Sequence, residues 1–175
     1  DNSLIDLSKF KHASESVGEI KFVADRFGKA KNAIQFNPRS CVEILDDKLL
    51  FPFAGGPTLT YSMWIRSPSK VGQVVASKYS KYNPGINKIK YNHFKLGASS
   101  KEASGWGTGQ MRGPLKSGFI IETAEMPGWC SEWSHFVFIF NPLKSTGTIY
   151  CNGKLAGEGK MVFNKSQVSP FPLRF

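Results

Sequence analysis

Polar and apolar residues alternate most regularly along Thr58-Leu59-Thr60-Tyr61-Ser62-Met63-Trp64-Ile65-Arg66. Successive side chains of an extended chain point to opposite faces. Leu59, Tyr61, Met63 and Ile65 therefore share one face, and Thr58, Thr60, Ser62, Trp64 and Arg66 the other. One face is expected to meet the core while the other stays partly open. Gly55-Gly56-Pro57 and Pro68 punctuate the two ends. Val74-Val75-Ala76-Ser77-Lys78 reads as the next strand. Ser134-His135-Phe136-Val137-Phe138-Ile139-Phe140 does not alternate, which predicts cover on both faces. After the turn at Asn141-Pro142, Thr148-Ile149-Tyr150-Cys151 and Lys154-Leu155-Ala156-Gly157 flank Asn152-Gly153. Both turn residues accept a positive φ, so this reads as a hairpin closed by a type I′ turn.

Roughly ten short strands without intervening helices predict an all-β chain, a two-sheet antiparallel β-sandwich of the jelly-roll kind. No repeat, low-complexity tract or linker interrupts the 175 residues, so one domain over 1–175 is expected. Fourteen Phe, four Trp and five Tyr supply a core and argue against disorder. No stretch reaches the roughly 20 apolar residues of a membrane-spanning helix, so no membrane insertion is expected. The opening Asp1-Asn2-Ser3 carries no leader pattern, so any signal peptide is expected to be absent or already removed.

Several segments resemble the concanavalin A-like, laminin G-like jelly-roll superfamily. Gly18-Glu19-Ile20-Lys21-Phe22-Val23 and Asp25-Arg26-Phe27-Gly28-Lys29-Ala30 resemble its opening strand and turn. Ala33-Ile34-Gln35-Phe36 and Cys41-Val42-Glu43-Ile44 resemble its next two strands, and residues 58–66 its Trp-bearing strand. Trp133-Ser134-His135-Phe136-Val137-Phe138 and Tyr150-Cys151-Asn152-Gly153-Lys154 resemble its later strand and Asn-Gly hairpin. The order holds from residue 4 to 163, and the resemblance implies stacked antiparallel sheets and non-catalytic recognition at a cell surface or in a secreted protein. In that pattern Trp64 and Trp133 are expected in the core. Two departures stand out. Family members close with an Asp-Asp-x-Arg strand, whereas this chain ends Pro172-Leu173-Arg174-Phe175, so either the closing strand is missing or the sheet is completed differently. Calcium is the one ion the resemblance brings, but residues 6–12 keep Asp6 and lack the glycines and asparagine of the calcium-binding loop. No cofactor is expected.

Catalytic patterns are missing. A glycosidase needs two carboxylates flanking the scissile bond. The nearest candidates are Glu43 with Asp46 and Asp47, and Glu122 with Glu125. Three residues apart on a strand, Glu122 and Glu125 would fall on opposite faces. These acids read as solvated edge charges, and no enzyme is expected. Cys41, Cys130 and Cys151 match no zinc spacing and read as small buried residues.

Charge changes this picture. The net charge is +10, and residues 70–116 hold nine Lys or Arg against the single acid Glu102, an excess of eight. Within that segment aromatic and basic residues interleave: Tyr79, Lys81, Tyr82, Lys88, Lys90 and Tyr91, with Trp106 between glycines and Arg112 downstream. Aromatic faces stack on sugar rings or bases, and cations bind acidic groups. These eight residues are the candidate ligand-binding set, weighed against the plainer reading of a wet strand face. A carbohydrate-binding module, with acidic glycans as the first partner, leads. The alternative is a structural or adhesive module contacting protein within a surface protein or viral fibre. Nucleic acid is the least supported partner, since no recognised nucleic-acid motif accompanies the charge.

Overall fold

The computed structural model describes residues 4–45, 55–66, 73–79, 92–100, 107–112, 120–122, 132–163 and 172–175. Strands and turns account for all regular structure among them, with no helix. The chain forms two compact units, Asp1–Asp47 with Pro172–Phe175, and Lys48–Phe171.

In the first unit, β1 (Ser14–Val17) pairs antiparallel with β4 (Cys41–Ile44), while β2 (Ile20–Val23) and β3 (Ala33–Phe36) make a separate hairpin. The Asp25 carboxylate ties the turn after β2 by accepting the N–H groups of Phe27 (2.9 Å) and Lys29 (3.0 Å). The C-terminal residues supply a strand of their own, β13 (Leu173–Arg174), antiparallel to β4. Phe175 exchanges two backbone bonds with Val42, at 2.9 and 3.0 Å, and Leu173 is buried. A two-residue strand without the family's Asp-Asp signature thus extends the β1–β4 ladder.

The second unit holds two antiparallel sheets. One runs β6 (Gln73–Tyr79), β7 (Asn92–Ser100), β8 (Gly107–Arg112), β9 (Ile120–Glu122). The other runs β12 (Lys154–Lys160), β11 (Thr146–Cys151), β10 (Ser134–Asn141), β5 (Leu59–Ile65), and its β11 and β12 lie against β8 and β9. Alternation along β5 comes out as expected, with Tyr61 buried and Ser62 and Trp64 exposed. Along β10, hydrophobicity is continuous but burial is not. Ser134, Phe136, Phe138 and Phe140 are buried, while His135, Val137 and Ile139 on the other face are only half-buried. Cover on both faces was the expectation; the outward face receives only partial cover. The inward face forms an aromatic core, in which Phe140 meets Tyr61 edge-on at 5.9 Å and Phe163 at 6.4 Å.

The Asn152-Gly153 turn closes β11 and β12 with φ of 49° and 78°. Asn152 is further fixed because its side-chain oxygen accepts the His135 N–H at 2.8 Å and its own N–H donates to the His135 carbonyl at 2.8 Å. A Cβ added at Gly153 would meet no heavy atom within 4 Å. Gly153→Ala should therefore lose about 1–2 kcal/mol through left-handed backbone strain alone. Equal urea midpoints for wild type and variant would remove the turn from the account of hairpin stability.

Candidate functional site

Two regions combine aromatic and basic residues. The first is the basic segment. Tyr79 ends β6 in register with Asn92, and Arg112 ends β8 in register with Lys95 of β7 on one side and Ile120 of β9 on the other. Lys95 and Arg112 thus occupy directly opposed positions of an antiparallel ladder. Lys81, Tyr82, Lys88, Lys90, Tyr91 and Trp106 lie outside the described residues.

The second region is the outward face of the β5–β10–β11–β12 sheet, which the sequence reading passed over. Period-2 geometry puts Ser62, Trp64 and Arg66 in one column and Trp133, His135 and Val137 in the next. Register sets Trp64 opposite His135 and Ser62 opposite Val137, with Tyr150 beyond Val137. The indole of Trp64 stacks on the imidazole of His135, with centroids 5.0 Å apart and planes inclined by 20°. Ser62 Oγ and His135 Nε2 share a hydrogen bond of 2.8 Å. The Arg66 guanidinium sits over the Trp133 ring, 5.3 Å from its centroid. Contrary to the expectation of a core position, Trp64 keeps 41% of its surface exposed, and Trp133 is only half-buried. The physical reason lies in β5 itself: Tyr61 and Met63 take the inward face, so a residue of opposite parity cannot join them. The alternation of residues 58–66 already puts Trp64 on the face opposite Tyr61, against the core position that the family resemblance implies.

Glu43 departs from the solvated edge charge that was expected. Glu43 is paired with Arg174, Nε to Oε1 at 2.6 Å, and its side chain is only 14% exposed. Glu122 ends β9 in register with Gln110, and Asp46, Asp47 and Glu125 lie outside the described residues. Asp6 does not offer an open ligand set. It accepts the Ser8 N–H at 2.7 Å, the Ser8 hydroxyl at 2.9 Å and the His12 N–H at 2.7 Å. Those donors, the Ser8 N–H foremost, hold its carboxyl below the ordinary carboxylate range. Residues 6–12 are thus held as a turn by hydrogen bonds to the Asp6 carboxylate. Among the described residues no three His, Cys, Asp or Glu side chains converge as metal ligands. Cys41 and Cys151 are half-buried where full burial was expected; burial pushes the Cys151 thiol up, and Cys130 lies outside the described residues. No helix among the described residues is long and apolar enough to cross a membrane.

A two-sheet antiparallel sandwich of this kind is the architecture of a concanavalin A-like domain. The chain belongs to the Concanavalin A-like lectin/glucanases superfamily, whose laminin G-type family model matches residues 42–175. Among solved structures it is similar to the native heptameric SAP-like pentraxin from Limulus polyphemus, at 17% identity and a TM-score of 0.48. That similarity covers 67% of this chain and 52% of the pentraxin chain, so the chain spans about half the length of that protein. No curated protein matches the chain.

Proposed function

We propose that the protein is a non-catalytic, lectin-like module of an extracellular or surface protein, binding acidic glycans through residues 70–116. Membership of a superfamily of lectins and glucanases supports recognition of sugars. The observation that carries the acidic preference is the opposed register of Lys95 and Arg112. Like charges directly opposite one another weaken a sheet, and an anionic group bound between them relieves that cost. The excess of eight positive charges around them adds a field that draws polyanions toward this segment. Tyr79, Lys81, Tyr82, Lys88, Lys90, Tyr91, Trp106 and Arg112 are the residues of the proposed site. We infer also that 1–175 works as one laminin G-like domain, a reading supported by a family match that runs through residues of both units.

The test is retention on immobilised heparin and alginate across a salt series. Replacing Lys81, Lys88 and Lys90 by Ser should weaken retention mainly at low salt, because exposed charges are screened over about 8 Å at physiological ionic strength. Trp106→Ala should weaken it at every salt concentration, by about 1–3 kcal/mol if a ring stacks as a base does. Passage of the wild type through both columns unretained at low salt would end this reading.

The adhesive reading has its own support in the first unit, where Leu7 is 84%, Phe27 74% and Phe10 62% exposed. Binding of a protein partner that ignores the lysine replacements would favour it.

A further inference from the structure

We propose that the Trp64 end of the outward face of the β5–β10–β11–β12 sheet is a second ligand site, built to stack a sugar ring and pair its carboxylate. The proposal rests on the reading of the domain as a glycan-binding module but on none of the residues of the basic segment.

Three features of the face point to a ligand. Trp64 is held rather than loose. It stacks on His135, and His135 is fixed at its ring by Ser62 and at its backbone by Asn152. A ring fixed in advance loses little freedom when a ligand stacks on it. Such an arrangement suits a sugar, because within its own column the exposed aromatic is bordered by a hydroxyl and a guanidinium. Ser62 is exposed on one side of Trp64 in its column and Arg66 on the other.

The second feature is the cation. Arg66 and Trp64 share the face by period 2, and the guanidinium lies over Trp133. Arg66 is exposed, and a guanidinium presents a fork of N–H donors that matches a carboxylate bidentately. The third feature is spacing. Register carries the face on from Trp64 and His135 to Val137 and the half-buried Tyr150. Neighbouring strands are about 4.8 Å apart. Trp64 and Tyr150 sit two strands and two register positions apart, roughly 12 Å, a span longer than one pyranose ring. The ligand class is therefore a uronate-containing oligosaccharide, with a pyranose on Trp64 and a carboxylate at Arg66.

The test uses the whole chain and alginate hexasaccharide as probe, read by the indole N–H resonance of Trp64, assigned through its loss in Trp64→Phe. Addition of probe should shift that resonance, and the shift should persist in the Lys81, Lys88 and Lys90 to Ser variant. Trp64→Ala should raise Kd by about 5- to 150-fold at both low and high salt. Arg66→Gln should raise it chiefly at low salt. If the probe binds and the Trp64 resonance does not move, this site is wrong while the basic-segment reading stands. If the Trp64 shift remains and the lysine variant binds as wild type, this site carries the binding and the basic-segment reading fails. A Trp64 resonance moved by single-stranded oligonucleotide and unmoved by the hexasaccharide overturns the ligand class. Because the resonance is read in folded wild-type protein, poor folding of Trp64→Ala leaves the test intact.

Discussion

Phe140→Ala is expected to destabilise the second unit by about 3–5 kcal/mol, the largest effect of any single change considered. Phe140 has no exposed surface and sits in the central strand β10 between β5 and β11. Its ring meets Tyr61 edge-on and Phe163 at 76°, so its removal opens a void bounded by aromatic rings that cannot collapse without leaving their rotamers. The loss combines the transfer free energy of the missing ring with the lost contacts of its lining. Small domains are stable by about 5–15 kcal/mol, so the variant should unfold at a much lower urea midpoint with an unchanged slope. Leu155→Ala provides the contrast. Leu155 is 58% exposed on β12, and its truncation should fall within about 0.5 kcal/mol of wild type. Similar midpoints for the two variants would mean that the core lies elsewhere.

The segments that specify this fold could be read in advance wherever local pattern and local geometry coincide. Alternation in residues 58–66 placed Tyr61 inward, and the Asn152-Gly153 pair located a turn whose two residues adopt positive φ. In both cases the determinant lies within a few residues. What escaped the reading depends on residues far apart in the chain. Nothing near Arg174 announces a strand, because Leu173–Arg174 is two residues long and owes its conformation to β4, more than a hundred positions earlier. The Trp64 platform escaped for a different reason. Parity assigned Trp64 to the face opposite Tyr61, yet the family resemblance implied a core position, and the two arguments conflict. Geometry decides such a conflict: a strand turned to bury Trp64 would expose Tyr61, Met63 and Ile65 together. The basic segment was legible as composition alone, and its place in the sheet comes from register, such as Tyr79 against Asn92 and Lys95 against Arg112.

Breaking the Glu43–Arg174 pair is expected to cost about 1–3 kcal/mol, with the loss concentrated at the β4–β13 ladder. The two residues hold opposed register positions, and their charged groups meet at 2.6 Å with side chains 14% and 23% exposed. Both are less than a quarter open to solvent, so screening by water and salt is weaker than for a surface pair such as Lys21 with Glu19, at 59% and 66%. Arg174→Ala leaves the Glu43 carboxylate largely out of water with its strongest donor gone, which is the expensive half of such a pair to remove. Glu43→Gln leaves the guanidinium in a similar position and should cost less, because an amide oxygen still accepts. The double variant Glu43→Leu with Arg174→Met removes both charges and should recover most of the loss, since a partly buried ion pair replaced by apolar groups is often neutral. A double-mutant cycle then gives a coupling of about 0.5–3 kcal/mol that high salt reduces only slightly. The local readout is amide exchange at Val42 and Phe175, whose N–H groups bond to each other's carbonyls. Exchange at these two amides should accelerate about tenfold for every 1.4 kcal/mol lost, while the amides of β10 and β11 keep their wild-type rates. Unchanged exchange at Val42 in Arg174→Ala would show that backbone pairing and Leu173 burial hold β13 without the charge. Equal acceleration in β10 would instead mean that the two units unfold together, and that the chain's last four residues stabilise the whole molecule.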